Sequence, residues 1–445
     1  MSYATFKGGV HPFDGKDMSK DKPVTEYLPK GEMVYPLSQH IGAPAKAVVA
    51  PGDEVLAGQI IGEASGFVSA NVVSSVSGRV KAIEPRMLVT GVISDSIIVE
   101  NDGEYKTVEG LGTPRDYTQM TKEEIREAIK AAGIVGMGGA GFPTHVKLTP
   151  KDDGAIDYVI VNGAECEPYL TSDYRMMLEE PERIVTGLKV ILSLFERARG
   201  VIAIEENKPE AIKRLKEVVQ GEERIEVRPL RTKYPQGAER NLIYAVSGRK
   251  LNSKKLPADM GCVVSNIDTV ISVGMAVCEQ TPLMRRIVTV TGDAIADPRN
   301  FSVKTGTNYA ELVEAAGGYV CEPEKVIAGG PMMGNALTTL DVPVTKTSSA
   351  LLALGKDAVA EFEPSACIHC GRCVRVCPSG LVPQKMREVC ERYDLDLFEK
   401  LYGMECYECG SCTYACPAKL PLTQSFKQAR KAVAERRRQA AQAAK

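Results

Sequence analysis

The cysteines constrain this chain more than any other feature. Of 13 cysteines in 445 residues, nine lie between positions 367 and 416. Eight of those repeat one pattern, C-x2-C-x2-C-x3-C-P. The first copy is Cys367, Cys370, Cys373 and Cys377 before Pro378; the second is Cys406, Cys409, Cys412 and Cys416 before Pro417. Three thiolates two residues apart can wrap a tight loop around one iron–sulfur cube. The fourth, expected to start a helix, points elsewhere. Zinc also uses C-x2-C pairs, but has no use for a third cysteine at the same spacing. His369 reads as a solvent-side loop residue, and Cys390 as a small buried hydrophobe on a helix.

The two runs resemble those of bacterial two-cluster ferredoxins, where the fourth cysteine ligates the other cluster. The resemblance implies two [4Fe–4S] clusters. Cluster 1 takes Cys367, Cys370, Cys373 and Cys416; cluster 2 takes Cys406, Cys409, Cys412 and Cys377.

Composition sets the context. The chain is 44% hydrophobic and 25% charged, which suits folded protein rather than disorder. A formal charge of −2 argues against nucleic acid as a partner. No apolar run is long enough to span a membrane, and the opening MSYATFKGGVHPF lacks a secretory h-region. A cytosolic setting is expected, where cysteines serve as ligands or thiols rather than disulfides.

The chain divides by pattern into a multidomain α/β protein. Residues 1–30 read as an extended arm. Residues 31–110 hold short strands punctuated by Pro51-Gly52-Asp53, Gly58 and Ser77-Gly78, and form a small all-β unit. The Val49–Gln59 run and Ser77–Val80 resemble the barrel-sandwich hybrid fold of biotinyl and lipoyl domains. No lysine stands at the hairpin tip for a swinging arm, so a structural or docking role is expected. At Thr121 a capping box opens a helix, which Gly133 ends. Residues 120–285 then alternate strands and helices, which predicts a largely parallel, Rossmann-like sheet. Residues 286–345 fit a β-grasp (SLBB-type) module. Residues 355–425 form a ferredoxin-like α-helical domain. Residues 426–445 close the chain as a basic helix carrying Arg436, Arg437 and Arg438, read as solvated.

Four segments outside the cysteine runs suggest a nucleotide. In Gly136-Met137-Gly138-Gly139-Ala140-Gly141-Phe142-Pro143, four glycines leave backbone N–H groups open to a flat or phosphorylated ligand. Asn162, Glu165 and Glu167 follow a predicted strand, where open α/β sheets bind ligands. Tyr234, Gly237 and Glu239 lie in a loop entering a helix. Ser265, Asn266, Asp268 and Thr269 have the helix-start character that suits a phosphate. Each segment alone could be an ordinary turn or cap.

In this order the four resemble the NADH-binding flavoprotein subunit of respiratory complex I. That family carries G-R-G-G-A-G-F-P-T-G-x-K-W, N-x-D-E-S-E-P, Y-x-x-G-E-E and N-N-V-E-T. The likeness is closer to the RnfC family of Rnf electron-transport complexes. There a Phe6-Lys7-Gly8-Gly9-Val10-His11-Pro12-type opening, the barrel-sandwich segment, the flavin domain and two clusters share one chain. The resemblance implies FMN held by Gly136, Gly138, Gly139, Ala140, Gly141, Asn162, Glu165 and the Asn266–Thr269 loop. It implies NADH above, against Phe142, Lys147, Glu167 and Glu239. Four positions depart from the complex I motifs: Met137 for arginine, Leu148 for tryptophan, Ala164 for aspartate and Ala238 for glutamate.

The resemblance implies an NADH-oxidising subunit. It would lie peripherally on the cytoplasmic side of the bacterial inner membrane. It would exchange electrons with other subunits of an Rnf complex, especially an iron–sulfur ferredoxin-like one. The cobalamin reductase of bacterial microcompartments shares the flavin and cluster features; the amino-terminal opening favours RnfC. A non-enzymatic two-cluster relay with a degenerate flavin site is the reading from another class.

Overall fold

The computed structural model describes residues 3–443. The helix expected over 426–445 extends two residues beyond that range. The centre of the molecule is a four-stranded parallel sheet: β1 (Tyr158–Gly163), β2 (Arg199–Glu205), β3 (Ile225–Leu230) and β4 (Cys262–Asn266), in the order β3-β2-β1-β4. β1, β2 and β4 are short apolar runs buried on both faces, as a sheet covered by helices requires, whereas the edge strand β3 is mostly half-buried. The helices are α1 (Lys122–Ala131), α2 (Ser172–Glu179), α3 (Pro181–Ser193), α4 (Pro209–Val218), α5 (Glu239–Ser247) and α6 (Ile267–Cys278). The Thr121 capping box is formed, with Thr121 Oγ1 accepting from the Glu124 N–H at 3.2 Å. Gly133 follows α1 with φ +64°. α2 was not expected from the sequence pattern. The helix expected over 181–197 stops at Ser193.

α6 is almost wholly buried, and α3 lies directly on it. Gly187 allows this approach, because a Cβ there would strike the Val270 carbonyl oxygen.

Residues 33–101 form two small antiparallel sheets around a core of Met33, Tyr35, Val55, Ile61, Val80, Ile97 and Val99. A mixed six-stranded sheet follows in sequence. It takes in Arg285–Thr291, Arg299–Lys304 and Lys325–Ala328, together with Ala350–Leu354 from beyond residue 345. One edge strand is Thr25–Tyr27, paired in parallel with Phe301–Val303; the other is Asn335–Ala336. The amino-terminal arm is therefore no free tail: Phe6, Val10, Lys16 and Ser19 are all buried.

The cysteine-rich region is a small helical unit packed around Met386, Phe398, Phe426 and Val433. One local expectation is corrected by the structure. The fourth cysteine of each run does not start a helix. Helix Arg372–Val376 begins after Gly371 at φ +72° and is capped by Cys377; helix Ser411–Tyr414 begins after Gly410 at φ +79° and ends just before Cys416. The glycines turn the chain into each helix, and the following proline disfavours helical backbone at the cysteine. The terminal helix, Leu422–Ala443, begins earlier than expected. Its Arg436 and Arg437 both pair with Glu399, so the basic run is partly neutralised.

Candidate functional site

The strand order reverses direction between β1 and β4, and open α/β sheets bind ligands beyond the carboxyl ends at such a point. Asn162 lies at the end of β1 and Asn266 ends β4, and the two are register partners. The structure thus brings together two residues far apart in sequence. Asn162 Nδ2 donates to the Gly237 carbonyl at 2.9 Å, which draws the third segment to the same place. Asn266 caps α6 by accepting from the Asp268 N–H at 3.0 Å.

The glycine loop closes over this crevice. The Gly136 N–H donates to the Phe142 carbonyl at 2.9 Å, and the Met137 N–H donates to Thr269 Oγ1 at 2.9 Å. These bonds pin the base and leave Gly138, Gly139 and Ala140 exposed at the tip. A Cβ at Gly138 would lie 3.1 Å from that of Asn266, whereas Gly139 faces open space. Gly141, at φ +71°, packs on the Gln39 carbonyl of the barrel-sandwich segment. Lys147 Nζ donates to the Val264 carbonyl at 2.8 Å and stands 3.6 Å from Glu239.

Three buried polar atoms at the crevice have no hydrogen-bond partner: Glu165 Oε2, which Lys16 approaches only to 3.9 Å, Gln236 Nε2 and Ser265 Oγ. An unsatisfied buried polar atom costs about 1–3 kcal/mol, so a ligand that pairs with them is favoured. The glycine cradle, the capped start of α6 and these orphan atoms fit a flavin mononucleotide.

Several charged groups around the crevice were not visible in the sequence. Lys16 reaches in from the arm; its Nζ donates to the Glu167 carbonyl at 3.1 Å and lies 3.9 Å from Glu165. Asp173, at the start of α2, accepts from Asn266 Nδ2 at 2.6 Å, and its N–H donates to Glu165 at 2.7 Å. Burial, then the neighbouring Glu165 and Asp268, push the Asp173 carboxyl up to about 8. Burial raises Glu165 as well and lowers Lys16. Arg286, from the next sheet, pairs with Asp268 and touches the Met137 sulfur. The cation beside the loop thus comes from Arg286, where the complex I motif has its own arginine.

Two of the residues expected near the nucleotide are engaged by other segments. Glu167 accepts from the Met332 and Met333 N–H groups at 2.7 and 3.1 Å. The Tyr234 hydroxyl donates to the Cys409 carbonyl at 2.7 Å. Phe142 is half-buried behind the loop tip.

The cysteines gather into two cavities. One is lined by Cys367, Cys370, Cys373 and Cys416, the other by Cys377, Cys406, Cys409 and Cys412. Each cavity draws three thiols from one run and the fourth from the other, and all eight are free. Four thiols around an enclosed space of this kind fit a cubic cluster. Cys370 is exposed, whereas Cys409 and Cys412 are buried. His369 is exposed at φ +55° beside Gln384, and Cys390 packs on the helical core. Cys166 joins Val10, Tyr234 and Cys409 in one apolar cluster, and burial pushes its thiol up to about 12.

Comparisons with known proteins agree with this layout. Family models match as an RnfC barrel sandwich hybrid domain over 4–104, a Nuo51 FMN-binding domain over 129–275, an SLBB domain over 287–336 and a 4Fe-4S binding domain over 359–382. The chain is 43% identical over 442 residues to the C subunit of the Na(+)-translocating ferredoxin:NAD(+) oxidoreductase complex of Acetobacterium woodii, spanning 98% of this chain and 99% of that one. It is 44% identical over 383 residues to the C subunit of the proton-translocating ferredoxin:NAD(+) oxidoreductase complex of Clostridium ljungdahlii, spanning 86% and 83%. The C subunit of the ion-translocating oxidoreductase complex of Rhodobacter capsulatus is 40% identical over 97% of this chain and 84% of its own. With these relatives and its own FMN-binding and 4Fe-4S domains, the chain belongs to the RnfC family.

Proposed function

We propose that this chain is the electron-input subunit of an ion-translocating ferredoxin:NAD+ oxidoreductase complex. It passes electrons between NADH and a partner subunit that itself carries iron–sulfur clusters. Bound FMN exchanges a hydride with a nicotinamide and single electrons with a cluster, so it belongs between the two. The chain's own residues position and insulate. The N–H groups of the glycine loop and of the capped α6 start receive the phosphate end. Asn162, Glu165 and Ser265 offer polar atoms to the isoalloxazine. Lys147 and Glu239 stand at the rim, on the side of the nicotinamide nucleotide. Cys367, Cys370, Cys373 and Cys416 hold one [4Fe–4S] cluster; Cys406, Cys409, Cys412 and Cys377 hold the other.

The strongest support for this order is the buried cluster of Val10, Tyr234 and Cys409, against which Cys166 packs. It sets the second cysteine set against the flavin-site loops and leaves the first, with exposed Cys370, toward the outside. The first set is then the exit. The reading also makes the chain a peripheral subunit on the cytoplasmic face; among the described residues no helix is long and apolar enough to cross a membrane.

Anaerobic titration of the purified, cluster-replete chain with NADH tests the reading. The expected outcome is bleaching of the visible flavin absorbance, then reduction of the clusters, with about eight irons per chain. Absence of flavin together with clusters that NADH cannot reduce would leave only a relay.

A further inference from the structure

The flavin-site loops and the second cysteine set meet at one side chain. Tyr234 lies in the loop between β3 and α5, yet its hydroxyl donates to the Cys409 carbonyl at 2.7 Å in a site closed to water. Val10 packs with it, as do Cys166, Met332, Val376 and Tyr407. The arm runs behind the ring. Val10 and Tyr234 exchange both backbone hydrogen bonds at 2.9 Å, and the Gly9 N–H donates to the Val376 carbonyl at 2.8 Å, next to Cys377. Gly8 and Gly9 take φ of +85° and +82°. A Cβ on Gly9 would lie 2.6 Å from the Tyr234 carbonyl oxygen, and one on Gly8 would lie 2.9 Å from the Cys377 carbonyl oxygen. Three segments far apart in sequence therefore meet with no spare room.

We infer that Tyr234 is a positioning residue for electron passage between the flavin site and the cluster held by Cys377, Cys406, Cys409 and Cys412. The inference rests on the proposed roles of those two sites. The hydroxyl fixes the Cys409 loop to the loop between β3 and α5, whose Gly237 N–H in turn donates to the Cys166 sulfur at 3.3 Å. Each NADH converted to NAD+ yields two electrons and one proton. The electrons cross this junction singly, each reducing one cluster by one electron, and the proton goes to solvent. Tyr234 itself is unchanged. Without the hydroxyl, the Cys409 carbonyl loses a buried partner, and either the loop shifts or water enters.

The test is Tyr234→Phe in the full, cluster-replete chain, mixed anaerobically with NADH. Flavin absorbance and the electron paramagnetic resonance of the reduced clusters are followed separately. Iron and FMN contents and the rate of flavin bleaching are expected to match wild type. Cluster reduction is expected to slow by about 10- to 100-fold, the order produced by misplacement of about an ångström. A purely structural role would lower cofactor content or both rates together. Wild-type cluster reduction with cofactors intact overturns the inference. If Tyr234→Phe loses iron, Gly9→Ala presses on the same junction from the arm and is read by the same two rates. A wild-type chain whose flavin NADH does not bleach overturns the functional reading first, and this inference with it.

Discussion

At the scale of single residues, the crevice gathers charge that only burial makes unusual. Asp173 is the clearest case, with its carboxyl pushed up to about 8 by burial and by Glu165 and Asp268. An unfolded aspartate titrates near roughly 3.9. A carboxyl raised on folding stabilises the fold fully only below its unfolded value. That stability is lost as pH rises toward the folded value. Asp173→Asn keeps an oxygen for the Asn266 amide and removes the titration. Its melting temperature should match wild type more closely at pH 6 than at pH 8, where a gain on the order of a few °C is expected, levelling off above that. Calorimetry from pH 6 to 8.5 checks this, and a gap independent of pH would refute it. The residues of this site divide by legibility. The glycine loop and the cysteine runs announce themselves through spacing. Lys16, Asp173 and Arg286 do not, because their character comes from distant partners or from burial.

At the scale of elements, what the sequence carried well was periodic and local. The capping box of α1 and the alternation that builds the parallel sheet are encoded within a few residues of where they act. The misses share a cause. Thr25–Tyr27, in the expected arm, is a strand only because a distant partner, Phe301–Val303, lies beside it. The helix start expected at the fourth cysteines failed because Gly371 and Gly410 turn the chain earlier, so the helix precedes the thiol. Helix contact also reaches the site. α6 starts at the proposed flavin crevice, and α3 is seated on it through Gly187. Gly187→Ala sets a methyl against the Val270 carbonyl, an overpacking expected to cost about 1–3 kcal/mol. The displaced α6 would move Asn266 and Thr269, so weaker FMN retention should accompany the lower melting temperature. Fluorimetry of released flavin after gel filtration, alongside thermal melts, reads both effects.

At the scale of the whole molecule, the two cluster sites differ in their relation to solvent. The Cys377, Cys406, Cys409 and Cys412 cavity is sealed on several sides. Tyr234 and the arm cover one, and Arg240 ties the flavin domain to Glu405 at 2.7 Å beside it. Ser253 adds an N–H to the same carboxylate at 2.9 Å. The other cavity is bordered by Ile368, His369 and Cys370, all exposed. On the proposed path, an electron from the flavin site meets the Cys377, Cys406, Cys409 and Cys412 set first and leaves through the set with exposed Cys370. The same asymmetry governs damage, since oxidation of cluster sulfur and release of iron need access from water. Brief exposure of the reduced protein to air should therefore remove iron in two phases, from about eight to about four per chain, and then more slowly. Alkylation and mass spectrometry after the first phase should find Cys367, Cys370, Cys373 and Cys416 modified while Cys406, Cys409, Cys412 and Cys377 remain protected. Modification of both sets at one rate would mean that the arm does not hold the inner site closed in solution. Removal of residues 1–12 should produce that single-rate behaviour, because it takes away Gly8, Gly9 and Val10, the arm segment that runs between Tyr234 and Cys377.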